Sequence, residues 1–252
     1  MLTRSPILPI PRPPIDKSTR QPLSWAIMSQ TQLRDHAPIP ANGTTLYRYS
    51  GAVLRVFLRV YTRWEVTGRE HVPQAGGVLL VANHTSYADP PIVGAACPRP
   101  VHFMAKSELF AIPLLSAFIR RTHAFPVKRE AADQQALRRA LRLLRGDRVL
   151  LIFPEGSRSP DGRLMPFEAG AAFVALASEA QVVPVGIDGA DRLLPPGKPI
   201  LLPAKLRVRF GPPVDLSPFR RQRRSRELLQ QACDTMSAAL SAVLPPDRQP
   251  SP

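Results

Sequence analysis

Acidic residues are scarce in this chain, as are cysteines, aromatics and long apolar runs. Among 252 residues, 19 Asp and Glu stand against 34 Lys and Arg, a formal charge of +15. That balance points to an anionic partner: nucleic acid, a phospholipid surface or a phosphorylated substrate. The only two cysteines, Cys97 and Cys233, lie far apart and in no metal or redox spacing. A disulfide framework is thereby excluded, no metal site is expected, and the thiols suit a reduced, cytosol-facing protein. The longest apolar stretch, Leu109 to Ile119, is broken by Pro113 and falls well short of the ~20 residues a spanning helix needs. No Gly-x-Ser-x-Gly elbow supplies a serine nucleophile, which argues against a hydrolase. No nucleic-acid-binding motif appears either, so nucleic acid is not the expected partner.

What remains divides the chain into four parts. Residues 1–43 hold eight prolines, scattered charge and no sustained period, and are expected to be disordered. Met28 is an alternative start, because nothing before it looks needed for a core. Residues 44–65 contain LYRYSGAVLRVFLRVYTRW, where Arg48, Arg55, Arg59 and Arg63 fall on one stripe and Leu46, Val53, Phe57, Val60, Tyr61 and Trp64 cluster opposite. This basic amphipathic helix suits either a membrane interface or a packed position with a solvated basic face. Residues 66–244 alternate strand and helix signals, and residues 245–252 are expected to fray.

Within 66–244 the strands expected are Val78 to Ala82, Val101 to Ala105, Ala124 to Val127, Val149 to Phe153 and Val182 to Ile187. KLRVRF, Lys205 to Phe210, alternates at period two and reads as an edge strand. Helices are expected over Ala131 to Arg145, stopped by Gly146, and over Ser225 to Leu244. Such alternation predicts an α/β fold: a single domain with a largely parallel sheet flanked by helices, preceded by the amphipathic helix.

Chemistry-bearing residues sit where apolar runs end. VLLVANHTSYAD delivers His84 to the carboxyl end of a strand, the edge of an open α/β sheet where ligand crevices form, with Asp89 five positions on. His84 suits a general base whose tautomer Asp89 fixes; alternatively Asp89 caps the helix beginning at Pro90, which holds Asp89 itself out of helical conformation. A second run, VLLIF, leads into PEGSRS, where Arg158 offers a fork for phosphate and Gly156, with Ser157 beside it, lets the backbone approach an anion. Glu155 and Arg158 could instead pair as a loop clamp. Lys106, Lys128 and Arg129 add cations at two further strand ends. A base without its own nucleophile beside a phosphate cradle suits transfer of an acyl group to a hydroxyl of a phosphorylated acceptor. A thioester donor would leave as a thiolate of pKa near ~8.5 with little acid assistance.

The blocks NHTSYADP, KSELFAIP, FPVKRE, FPEGSRS and VVPVGI occur in this order. Over roughly Leu46 to Pro213 the chain resembles the glycerophospholipid acyltransferases, most of all the bacterial 1-acylglycerol-3-phosphate acyltransferases. The resemblance implies that His84 and Asp89 form the catalytic pair and that Arg129, Glu155, Gly156 and Arg158 bind the acceptor's glycerol phosphate. It also implies acyl-CoA or acyl-carrier protein as co-substrate, no further cofactor, and a peripheral position on the cytoplasmic face of the cell membrane, with the N-terminal helix on the anionic surface. Two departures stand out. His123 and Lys128 occupy positions where the family usually has glycine and aspartate, and Pro166-Phe167-Glu168-Ala169-Gly170 replaces a PFK-x-G pattern. The same chemistry on another lysolipid, or a non-catalytic basic membrane-binding protein, are the alternatives.

Overall fold

The computed structural model describes residues 44–127, 133–198 and 200–250. Along the chain, α1 (Thr45–Tyr61) leads to β1 (Arg63–Thr67), β2 (Val78–Ala82), α2 (Asp89–Ala96), β3 (Val101–Lys106), α3 (Pro113–Arg121) and β4 (Ala124–Val127). There follow α4 (Gln134–Arg145), β5 (Val149–Ile152), α5 (Ala169–Ser178), β6 (Gln181–Asp188), α6 (Ala190–Leu193), β7 (Lys205–Phe210), α7 (Ser217–Arg220) and α8 (Arg226–Ser241).

The seven strands form one sheet in the order β1-β7-β6-β2-β5-β3-β4. From β6 to β4 every neighbouring pair is parallel, whereas β7 runs antiparallel to β6 and parallel to β1. Strand β2 lies at the centre and all five of its residues are buried. Parallel strands covered on both faces must be apolar on both sides, so VLLVA is a continuous run and not an alternation. Leu79 and Val81 face the layer of α4, α5 and α8, while Val78, Leu80 and Ala82 face α1 and α2. Two helices of the first layer are capped at their first turns. Asp133 accepts from the amides of Gln135 and Ala136, and Ser225 from that of Leu228, each satisfying donors that a helix start leaves open.

Three expectations are corrected. KLRVRF forms β7 with the predicted register of burial, but it is not an edge: β1 covers it, with Trp64 opposite Leu206. Arg63 and Trp64 therefore belong to a strand, and α1 stops at Tyr61 with the β-branched Thr62 as its cap, whose hydroxyl donates to the Leu58 carbonyl at 2.6 Å. Period alone cannot tell how many neighbours a strand has. The segment after Pro245 does not fray over its described part. Pro246–Arg248 form a turn of 3-10 helix, and Arg248 is buried, its Nη1 2.9 Å from Asp191 Oδ2 and its carbonyl accepting from Leu164 N at 2.9 Å.

Helix α1 splits the apolar set expected on one face. Leu58 is buried, and Tyr47, Leu54, Phe57 and Tyr61 pack on the same core. Leu46, Tyr49, Val53, Val56 and Val60 point away and are exposed, Val60 by 84%. The helix is thus docked on the domain and also carries a solvent-facing apolar stripe. At its amino end Thr44 donates its hydroxyl to the Arg121 carbonyl, and Tyr47 stacks on His123 at 4.6 Å.

Candidate active site

Strand β2 carries His84 two residues past its end, where the chain must turn away from the sheet. Asn83 makes that turn by replacing the ladder with its side chain: its amide donates to the Ile187 carbonyl at 2.9 Å and accepts from Ile187 N at 2.8 Å. His84 is buried, and its Nδ1 lies 2.8 Å from Asp89 Oδ2. The same oxygen accepts from the amides of Thr85 and Ser86, each at 2.7 Å. Asp89 is the first residue of α2, not a residue outside it, and its carboxylate turns back onto the loop instead of capping the helix. Two fixed amides hold the carboxylate, which in turn holds the ring with Nδ1 engaged. Nε2 is then the nitrogen left for a reacting proton.

The loop after β5 packs around this pair. Phe153 stacks on the His84 ring, centroids 4.0 Å apart. Glu155 Oε1 accepts from His84 N at 2.7 Å, Glu155 Oε2 from Met165 N at 3.0 Å, and Ser159 N donates to the His84 carbonyl at 2.8 Å. Glu155 is buried, and loss of water pushes its carboxyl up to about 7, against the two amides, which pull it down; nearby Asp89 and Asp161 raise it further. Both of its oxygens are spent on backbone, so Glu155 pins the two loops together. No ion pair joins it to Arg158 among the described residues, and the clamp between those two is not formed.

Arg158 instead lies over the Tyr87 ring, its Cζ 3.7 Å from the centroid. Stacking holds the planar guanidinium while its edge stays available to a phosphate. Gly156, at φ +71°, makes the tight turn between Glu155 and Arg158, a left-handed conformation that other residues adopt only under strain. Gly156 and Ser157 are exposed beside it. Lys106 ends β3 on the same edge of the sheet, with its ammonium 2.8 Å from Glu108. Lys128 and Arg129 lie outside the described residues. The structure thus gathers His84, Asp89, Glu155 and Arg158, with Tyr87 and Phe153 as supports beyond the candidate residues. Phe153 stands at the end of an expected strand and Tyr87 between His84 and Asp89; in neither case does residue type alone signal a platform.

A mostly parallel sheet carries a histidine–carboxylate pair and an arginine at its strand ends, an arrangement suited to group transfer. The match at family level agrees: a profile described as Acyltransferase covers residues 63–188, half of the chain, and the chain belongs to that family. Among individual relatives, it is 27% identical over 175 residues to a 1-acyl-sn-glycerol-3-phosphate acyltransferase of Bacillus subtilis, covering 69% of this chain and 85% of that one. It is 31% identical over 173 residues to the enzyme of the same name from Streptococcus pneumoniae, covering 65% of this chain and 62% of that one. The crystal structure of the 1-acyl-sn-glycerophosphate acyltransferase PlsC from Thermotoga maritima superposes with a TM-score of 0.64 at 28% identity, over 78% of this chain and 76% of that one.

Proposed function

We propose that the protein transfers a fatty acyl group from an acyl thioester to the free hydroxyl of 1-acyl-sn-glycerol 3-phosphate, giving phosphatidic acid. The observation that carries this reading is the buried 2.8 Å contact of His84 with Asp89, beside a stacked arginine. His84 Nε2 takes the hydroxyl proton as the oxygen attacks the thioester carbonyl. The tetrahedral intermediate then expels the thiolate, which receives the same proton from His84. Asp89 stabilises the imidazolium formed between the two steps. Arg158 holds the acceptor phosphate, with Lys106 as a further cation on the same sheet edge and Ser157 and Gly156 supplying the close approach; Lys128 and Arg129 are proposed to add positive charge for the acceptor. Glu155 acts on this chemistry through the main chain of His84 and not by touching the acceptor. Direct attack calls for no prosthetic group or metal; acyl-CoA or acyl-carrier protein serves as donor.

No helix among the described residues is long and apolar enough to cross a membrane. The exposed stripe of α1, together with Leu114 at 87% exposure and Phe118 on α3, supports a peripheral position on the cytoplasmic face of an anionic bilayer. The test is mass spectrometry of products formed by the purified protein from one acyl-CoA and a panel of lysolipids. Release of thiol that requires 1-acylglycerol 3-phosphate supports the assignment. Release without any acceptor would make the protein a thioesterase, and no release would leave a binding protein.

A further inference from the structure

Helix α2 connects two ends of the molecule. Its first residue, Asp89, holds His84, while the turn that follows its last residue opens on a cavity of about 730 Å³ between that turn and α1. Eight residues at ~1.5 Å each separate the two by roughly 12 Å, so the cavity, at the start of β3, is distinct from the acceptor crevice at the opposite sheet edge. Three arginines line it: Arg48 and Arg55 from α1, two turns apart on one face, and Arg99 from the turn before β3. Its lining contains no carboxylate.

Arg99 is fixed by the carbonyls of Pro73 and Asp147, both at 2.7 Å. Arg55 lies back along the helix beside Gly51, where a methyl would meet its Nη1 at 3.5 Å, an ordinary contact. Three arginines around one concavity raise a positive potential, which a phosphate would neutralise with charge-assisted hydrogen bonds, above all from Arg48 and Arg55. Tyr49, which also lines the cavity, begins the exposed apolar stripe that continues through Val53 and Val56. A charged pocket opening onto an apolar strip matches a phosphate ester with acyl chains more closely than a free ion.

We propose that this cavity binds the phosphate of an anionic phospholipid that is not a substrate, with its chains along the outer stripe of α1. The site would tether the domain to one lipid molecule, beyond diffuse attraction to a charged surface, and it does not depend on which acceptor the enzyme uses.

The test is calorimetric titration of the full chain with dihexanoylphosphatidylglycerol below its micellar concentration. Wild type should bind one molecule saturably. Arg48→Ala with Arg55→Ala should weaken binding by about tenfold or more, since two charge-assisted contacts are lost. Arg59→Ala with Arg121→Ala, which removes the same charge outside the cavity, should change it less than about threefold, and Arg158→Ala should leave it intact. Alanine favours helix, so the variants should melt as wild type does; if the first pair does not, Arg48→Gln with Arg55→Gln takes its place. Turnover on detergent-dispersed acceptor should be unaffected by the Arg48 and Arg55 changes. Unchanged binding in the cavity variant, loss in Arg158→Ala, or displacement by inorganic phosphate as effective as by the lipid would each overturn the proposal.

Discussion

The loop that carries His84 and the helix α1 are both rich in polar and charged groups, yet they are built on opposite plans. In the loop, three donors converge on one oxygen of Asp89, and both oxygens of Glu155 are taken by backbone amides. On the outer side of α1, valines and a tyrosine face solvent beside unburied arginines. Where buried polar atoms are satisfied within the protein, as Asp89 Oδ2 and both Glu155 oxygens are, geometry is fixed in advance of reaction. Exposed apolar groups are tolerated only where another surface covers them in use. Changes in the loop should therefore alter chemistry or stability, whereas changes on the outer helix should alter location alone.

The sharpest way to break that contrast is His84→Ala, which should lower turnover by roughly 100 to 10,000-fold while melting stays close to wild type. Asp89→Asn should fall in the same direction, but less far. A folded His84→Ala protein with near-normal acyl transfer would remove the base from the mechanism.

Glu155 tests the same region through stability. Its carboxyl is raised to about 7 from an ordinary value of 4.5, so the folded protein binds a proton more tightly than the unfolded chain does. The linked stabilisation is fully present below about pH 4.5 and is lost as pH rises through 7, a change of up to ~3 kcal/mol. Chemical denaturation across that window should reveal the slope, and Glu155→Gln should flatten it. An unaltered slope in the variant would assign the pH dependence to other groups.

Arg158→Ala should raise the acceptor's KM by about 10 to 100-fold, with the donor's KM little changed, because a charge-assisted contact is worth about 1.5–3 kcal/mol. Equal loss toward both substrates would count against a phosphate contact. On α1, Val53→Glu with Val60→Glu should reduce vesicle binding by roughly tenfold while leaving melting and activity in detergent unchanged. Phe57→Glu with Tyr61→Glu should instead destabilise the domain, because those rings pack on it. Vesicle flotation and melting curves of the two pairs separate the outward face from the inward one; if both pairs behaved alike, the division of α1 into two faces would fail. The smallest effect is expected of Tyr87→Leu. Loss of an exposed cation–π contact, about 0.5–1 kcal/mol, should raise the acceptor's KM a few-fold and leave turnover intact.

Much of this was legible without coordinates. Strands β2 and β4 fall where their apolar runs stand, and β3, β5 and β6 lie within one residue of theirs at either end. Local signals set them: aliphatic and β-branched runs bounded by glycine, proline and polar turns. The pairing of His84 with Asp89 was readable too, because five residues of turn can close on themselves without help from the rest of the chain.

The remainder depended on partners distant in sequence. Whether KLRVRF is an edge depends on β1, more than a hundred residues earlier, pairing alongside it. Glu155 lies one residue from the glycine turn of an apparent phosphate cradle, yet its direction is decided by the amides of His84 and Met165, and no spacing rule encodes that choice. The two faces of α1 differ only in which one α2 covers, since both carry apolar side chains. Arg248, in a proline-rich tail with no period, is buried because Asp188 and Asp191 lie at the end of β6 and the start of α6 to receive it. Sequence by itself set the elements and the chemistry available at their ends. Tertiary structure decided which groups are spent on holding the fold and which are left for a ligand, because a hydrogen bond or a buried face needs a partner that only the folded chain supplies.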